Sequence, residues 1–209
     1  MIRAIVFDVG GVLIRTADYS HRRNWEKELG LKEWEAEEIV FSSEMGTRAQ
    51  SGGISNEALW SWVGERLKLA PEQLQAFRRG FWAGDVLDGE LIAYIRRLRP
   101  HYQTAIISNA TDNLRITLAE EHSIADAFDL IVCSAEERVM KPEPRIYRLT
   151  LERLGREPAE AVFIDDSAQN VAAARELGMH AIHFGANMDI PAELAKLGVR
   201  PAGSDEDNI

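Results

Sequence analysis

Apolar positions along this chain alternate between strand-like and helix-like spacing. Ile5, Val6 and Phe7 form a short β-branched and aromatic run that ends at Asp8, with Gly10 and Gly11 just beyond. Such a run, bounded by turn residues, predicts a buried parallel strand. Between Arg15 and Asp85 runs of this kind disappear and helical spacing takes over. Trp25 with Leu29 and Trp34 with Ile39 mark the buried faces of helices over about 22–29 and 33–41. A third helix starts at Ser55, which can cap it while Ile54 packs on Leu59, and runs to about Leu69. Pro71 opens a fourth, carrying Leu74, Phe77, Phe81 and Trp82. Residues 15–85 therefore read as an inserted cap of four helices, with a flexible polar loop at 45–53 between the second and third.

From Asp88 helix and strand alternate again. A helix with Leu91, Ile95 and Leu98 stops at Pro100, and strands follow at Thr104–Ser108, Asp129–Cys133, Ala161–Ile164 and Ala181–Phe184. Helices are expected between them: one after the polar turn 109–112, one opened by Lys141-Pro-Glu-Pro144, and one over 167–177 closed by Gly178. Short apolar strands separated by helices predict an α/β fold, a doubly wound, Rossmann-like parallel sheet of five strands. The core would comprise 1–14 and 86–200, the helical cap 15–85, and a disordered acidic tail 201–209.

Composition narrows the partners. The 209 residues are 45% hydrophobic, enough for a core, and the net charge of −10 argues against nucleic acid or an anionic membrane surface. No stretch approaches the ~18 consecutive apolar residues of a membrane span. The single cysteine, Cys133, follows Leu130, Ile131 and Val132, which marks it as a packing residue and suits a reducing compartment. A soluble cytoplasmic protein acting on a small ligand is expected, with monomer and homodimer both open. All five tryptophans fall in the insert, where a small core needs large side chains more often than a substrate pocket does.

The chemistry concentrates at strand ends. Asp8 ends the first strand, Ser108 and Asn109 the next, Lys141 follows the third, and Asp165 with Asp166 ends the fourth. In open α/β sheets ligands bind outside the carboxyl ends of the strands. Each residue also has a plainer reading, as a turn residue, a helix cap or a solvated charge. Their joint occurrence in this order favours a site. Converging carboxylates repel unless a cation lies between them, and few protein oxygens supplemented by water suit Mg²⁺. A metal beside a hydroxyl and a lysine suits a phosphoryl group, which an aspartate can attack.

In these four segments, Phe7-Asp8-Val9-Gly10-Gly11-Val12-Leu13, Ile106-Ile107-Ser108-Asn109, Lys141-Pro142-Glu143-Pro144-Arg145-Ile146-Tyr147 and Phe163-Ile164-Asp165-Asp166-Ser167-Ala168-Gln169-Asn170-Val171, the chain resembles the haloacid dehalogenase superfamily of hydrolases. That superfamily is mostly phosphatases, and the spacing is similar to its branch with a helical cap inserted after the first motif. The resemblance implies Asp8 as nucleophile, Gly11, Ser108, Asn109 and Lys141 as phosphate binders, and a Mg²⁺ site made by Asp8, the Gly10 carbonyl, Asp165 and Asp166, with Asn170 in support. Asp166 would be the direct ligand and Asp165 would hold a metal-bound water.

Gly10 departs from that pattern. Most phosphatases of the superfamily carry a second aspartate there, which protonates the leaving group and later activates water. General acid–base catalysis is worth about 10²–10⁴-fold, so a good leaving group is expected: a sugar 1-phosphate, an acyl phosphate or an aryl phosphate. His21, Glu44 and Arg48 are the cap residues available as substitutes. The expected function is a Mg²⁺-dependent phosphatase acting through an aspartyl phosphate. The alternatives are a 2-haloacid dehalogenase, which uses the same nucleophile without metal, and a phosphate-binding regulator that no longer turns over.

Overall fold

The computed structural model describes residues 1–201. Its centre is a five-stranded parallel sheet made of β1 (Ala4–Phe7), β4 (Gln103–Ser108), β5 (Leu130–Cys133), β6 (Ala161–Asp165) and β7 (His180–His183), in the order β5-β4-β1-β6-β7. The expected α/β doubly wound sheet is present. The expectation of a disordered acidic tail falls outside the described residues, Pro201 excepted.

Burial explains why the strands read as unbroken apolar runs. Every residue of β1 is buried, and its side chains alternate between two clusters. Ile5 and Phe7 pack with Leu91, Ile92, Ile95 and Leu98 of α6 (Gly89–Leu98). Ala4 and Val6 pack with Ile146, Tyr147, Leu151 and Leu154 of α9 (Pro144–Leu154). Helices therefore cover both faces, as a parallel sheet requires. Chain order runs outward from β1 through β4 to β5, then returns to β6 and β7 on the other side. The reversal falls between β1 and β6, so the residues after these two strands lie at the switch point where ligands bind in such sheets. Cys133 is fully buried, as expected of a packing residue.

The segment between β1 and α6 folds around its own apolar cluster, which includes Ile39, Val40, Leu59, Trp60, Phe77 and Phe81. Here the structure corrects several expectations. Residues 45–53 are not one flexible loop, because α3 (Glu44–Gln50) occupies most of them, capped by Ser43, whose Oγ accepts from the Gly46 N–H at 3.0 Å. Gly46 is a packing glycine: an added Cβ would stand 2.4 Å from the Val40 carbonyl oxygen. Five helical segments replace the expected four: α1 (Ser20–Leu29), α2 (Glu35–Glu37, running into a π-turn at Glu38–Ser42), α3, α4 (Asn56–Leu67) and α5 (Pro71–Trp82). Trp34 precedes α2 with φ +71° and lies half exposed, so it does not mark a buried face. Of the five tryptophans Trp60 is buried, whereas Trp82 is exposed.

Two short strands were not expected. β2 (Ile14–Thr16) pairs antiparallel with β3 (Asp85–Leu87), joining the points where the chain leaves and re-enters the core. They are three residues long and only partly buried, too short to show alternation. A terminal helix, α11 (Ile190–Lys196), capped by Asp189, also escaped the periodicity reading. The helical segment is tied to the core where Asp112 Oδ1 accepts from Asn56 N–H at 2.8 Å and where Ser134 Oγ donates to the Gln50 carbonyl at 2.6 Å.

Candidate active site

Asp8 follows β1 directly, and the sheet carries on one residue past the strand: its N–H donates to the Ile164 carbonyl at 2.9 Å. Because Phe7 pairs with Ile164 in β6 and with Ile106 in β4, Asp8 stands beside Asp165, with Ser108 at the end of the strand on its other flank. The chain then turns tightly. Leu13 and Ile14 N–H groups both donate to the Val9 carbonyl at 2.9 Å, and Gly11 sits at φ +78°. Gly11 also permits close approach, since an added Cβ would lie 2.1 Å from Asp166 Oδ2.

Asp8 is buried, and both groups it engages fall on Oδ1: the Val9 N–H at 2.7 Å and Lys141 Nζ at 2.8 Å. Oδ2 is left for a ligand or an electrophile. Lys141, also buried, bridges to Asp165 Oδ2 at 2.7 Å. Its backbone is clamped by Asn109, whose Nδ2 donates to the Lys141 carbonyl at 2.9 Å while its Oδ1 accepts from the Lys141 N–H at 2.8 Å.

Asp165 is fully buried and accepts from every side. Asn170 Nδ2 reaches both oxygens at 3.1 Å and the Ser167 N–H reaches Oδ1 at 2.8 Å. Asn170 lies on α10 (Ala168–Glu176), and its carbonyl accepts from the Tyr147 hydroxyl at 3.1 Å. Tyr147, the last residue of the third motif segment, thus braces the site from α9. Asp166 is exposed, next to Asp165.

One oxygen each from Asp8, Asp165 and Asp166 can be chosen so that all three lie within 4.8 Å of one another. Three carboxylates face one ammonium, so the group is short of positive charge. Burial, with Asp165 adding to it and Lys141 opposing it, pushes the Asp8 pKa up to about 7. Partial desolvation and then Asp165 also raise Asp166, although it is exposed. This all-oxygen donor set, deficient in positive charge, fits a divalent cation such as Mg²⁺, with Asp8 and Asp166 as ligand groups. Asp165, already engaged by Lys141, Asn170 and Ser167, fits a supporting position. A Cβ built on Gly10 would meet nothing within 4 Å, so the missing side chain leaves open space.

A cavity of about 800 Å³ lies over this edge. Gly10, Gly11, Ser108, Asn109 and Asp166 line it from the core, and Phe41, Trp60 and Trp82 line it from the helical segment. His21, Glu44 and Arg48 are not among the lining residues. His21 Nε2 lies 3.8 Å from Asp18, Glu44 begins α3, and Arg48 Nη1 lies 3.9 Å from Met45 Sδ. The structure therefore brings Asp8, Ser108, Asn109, Lys141, Asp165, Asp166 and Asn170 to one edge and leaves these three outside the cavity. Of the five tryptophans, for which a core is the favoured reading over a substrate pocket, Trp60 and Trp82 line this cavity.

Comparison with known proteins follows the same pattern. Residues 2–178 match the family model of haloacid dehalogenase-like hydrolases. A sesquiterpene phosphatase of Aspergillus oryzae is 26% identical, over 93% of this chain and 96% of that protein. An (S)-2-haloacid dehalogenase of Xanthobacter autotrophicus is 29% identical, over 85% of this chain and 73% of its own length. A stretch of 82 residues is 40% identical to mouse acyl-CoA dehydrogenase family member 10, of which the match spans only 7%. Among solved structures, the magnesium complex of a Bacteroides thetaiotaomicron enzyme of the same family superposes with a TM-score of 0.76 at 25% identity, covering 92% of this chain and 98% of that one. No helix among the described residues is long and apolar enough to cross a membrane.

Proposed function

The chain belongs to the haloacid dehalogenase-like hydrolases, and we propose that it is a Mg²⁺-dependent phosphatase of small phosphorylated metabolites, with Asp8 as nucleophile. The observation that carries this reading is the division of labour on Asp8. Oδ1 is held by Lys141 and the Val9 N–H, no hydrogen bond among the described residues falls on Oδ2, and one oxygen from each of two further carboxylates lies within 4.8 Å of an Asp8 oxygen. Mg²⁺ held by Asp8 and Asp166, with the Gly10 carbonyl as a third protein ligand, would supply positive charge to the phosphoryl group.

The chain's own residues account for the rest. Oδ2 attacks phosphorus, and the ester P–O bond breaks as the aspartyl phosphate forms. Lys141 and Ser108 steady the phosphoryl oxygens, Lys141 also neutralises Asp8 and Asp165, and Asn109 fixes the lysine backbone. With no acid at position 10, the leaving group departs as its anion and takes its proton from solvent. Water then attacks the aspartyl phosphate, releasing inorganic phosphate and restoring the carboxylate.

A second reading, carbon–halogen hydrolysis, is favoured by the 29% identical dehalogenase. The same nucleophile serves it, but the crowding of Asp165 and Asp166 against Asp8 then has no purpose. A third, phosphate binding without turnover, rests on Gly10. Incubation with a phosphate ester panel and a 2-haloacid, with and without Mg²⁺, alongside Asp8→Asn, separates them. Metal-dependent phosphate release lost in Asp8→Asn supports the proposal, metal-independent halide release supports the second reading, and silence across the panel supports the third.

A further inference from the structure

The cavity wall contributed by the cap is rich in partly exposed aromatic rings. Among the described residues four aromatic side chains are exposed, Tyr19, Trp34, Phe41 and Trp82, and three of them line this cavity. Phe41 and Trp82 sit edge to face with ring centres 5.7 Å apart, and the buried Trp60 continues the surface beside them. Large aromatic side chains are left half in water at the rim of a cavity where a ligand covers them.

Several polar side chains on the same wall are already engaged. Gln50 Nε2 donates to the Phe41 carbonyl at 2.7 Å and to the Gly46 carbonyl at 3.2 Å. Arg22 is bound to the Phe81 carbonyl and to Asp85. Arg78 donates to Glu57 at 3.0 Å with its guanidinium 5.2 Å over the Trp60 ring, and Asn56 Oδ1 accepts from Thr111. A polyhydroxylated leaving group would meet several partners that are already taken, which costs affinity. A planar apolar group would cover ring surface at no such cost.

Gly10 points the same way from a different direction. Without an acid, a leaving group must be stable as an anion, and a phenolate is far more so than an alkoxide. We infer that the substrate class is aryl phosphate monoesters with an extended ring system, the ring seated on Phe41, Trp60 and Trp82 and the phosphate at Asp8. This selects one of the three leaving-group classes that Gly10 leads one to expect, and it rests on the phosphatase reading above. The step is the one already written, with the phenolate leaving as the Asp8–phosphorus bond forms.

The test compares phenyl phosphate with 2-naphthyl phosphate, whose phenols are of similar acidity but differ by one ring, and adds glucose 1-phosphate and acetyl phosphate. The expected result is a KM at least about tenfold lower for the naphthyl ester at similar kcat. Trp82→Ala should erase that difference and Trp82→Phe should keep it. Independently of turnover, calorimetry of the wild-type protein with Mg²⁺ should find 2-naphthyl phosphonate bound at least about tenfold more tightly than methyl phosphonate. Hydrolysis of acetyl phosphate with glucose 1-phosphate preferred over the naphthyl ester overturns the substrate class and leaves the phosphatase standing. Failure to hydrolyse any of the four compounds defeats the phosphatase reading, and the aryl site is then judged by the phosphonates alone: equal affinities overturn it.

Discussion

Gly11 and Asp166 are packed so closely that a single methyl group on Gly11 would fall 2.1 Å from the Asp166 carboxylate oxygen, at a backbone φ of +78°. Gly11→Ala therefore meets two obstacles, a left-handed conformation that costs about 1–3 kcal/mol and a collision that displaces Asp166. The variant is expected to fold with lowered stability and to bind Mg²⁺ at least about tenfold more weakly, since a displaced ligand group loses its geometry. Titration calorimetry with Mg²⁺ checks this. Unchanged affinity would show that Asp166 does not hold the ion.

The neighbouring glycine behaves oppositely. A Cβ on Gly10 meets nothing within 4 Å, so Gly10→Asp has room for the absent acid. Hydrolysis of alkyl phosphates should rise by about 10²-fold, the lower end of what general acid catalysis supplies, while acyl phosphates, which need no proton, change little. A Brønsted plot of kcat/KM against leaving-group pKa should flatten in the variant. Parallel slopes would remove the leaving-group argument.

Lys141 holds two buried carboxylates at 2.7 and 2.8 Å. Lys141→Met leaves Asp8 and Asp165 facing each other without a cation. Breaking a buried pair from one side costs about 3–5 kcal/mol, and losing one group that stabilises the reacting phosphoryl costs about 10²–10³ in kcat. Because protonation relieves the repulsion, the loss of Tm should be larger at pH 8 than at pH 5. A loss that does not depend on pH would place the lysine's contribution elsewhere.

The reactive edge was legible in the sequence because its residues sit at the ends of short apolar runs. Asp8, Ser108 and Asp165 each close a strand whose neighbours are buried on both faces, and register alone then sets Asp8 beside Asp165. The cap was less legible. Ser43 and Gly46 look like loop chemistry until the cap bond and the contact with Val40 are seen, and β2 and β3 are too short to alternate. Phe41 and Trp82 lie on segments far apart in the chain, so their pairing over the cavity is a product of packing that no local pattern encodes. Tyr147 is similar: its bond to the Asn170 carbonyl joins two helices whose contact periodicity does not reveal.

The metal-free protein should lose stability as pH rises. Burial pushes the Asp8 pKa from an ordinary 3.8 to about 7. Between those values the folded state keeps a proton that the unfolded chain has shed, so the unfolded state binds fewer protons and stability falls with pH, by at most ~1.4 kcal/mol per unit, levelling above about 7. Asp166, though exposed, is raised in the same direction by partial desolvation beside the core and then by the neighbouring Asp165. Scanning calorimetry from pH 4 to 8 should show this decline, a flatter profile in Asp8→Asn, and a larger rise in Tm on adding Mg²⁺ at pH 8 than at pH 5, since the ion displaces the proton. Wild type and Asp8→Asn with parallel profiles would mean that Asp8 is not the group responsible.

Arg22 offers a test of how the cap is held at the ribbon. It is buried, with Nε on the Phe81 carbonyl at 2.7 Å and Nη2 on Asp85 Oδ1 at 2.8 Å, and its guanidinium lies 4.3 Å over the Phe81 ring. Asp85 Oδ1 also accepts from Thr16 across the β2–β3 pair at 2.7 Å, so one carboxylate links the ribbon to α1 and to the end of α5. Arg22→Met should cost about 3–5 kcal/mol, much of it from stranding Asp85. Arg22→Lys should not restore it, because a single ammonium cannot make the guanidinium's two directed bonds and its ring contact together. The double variant Arg22→Met with Asp85→Asn removes the stranded charge and should recover part of the loss in urea denaturation. Strictly additive costs would show that the two side chains are not energetically coupled.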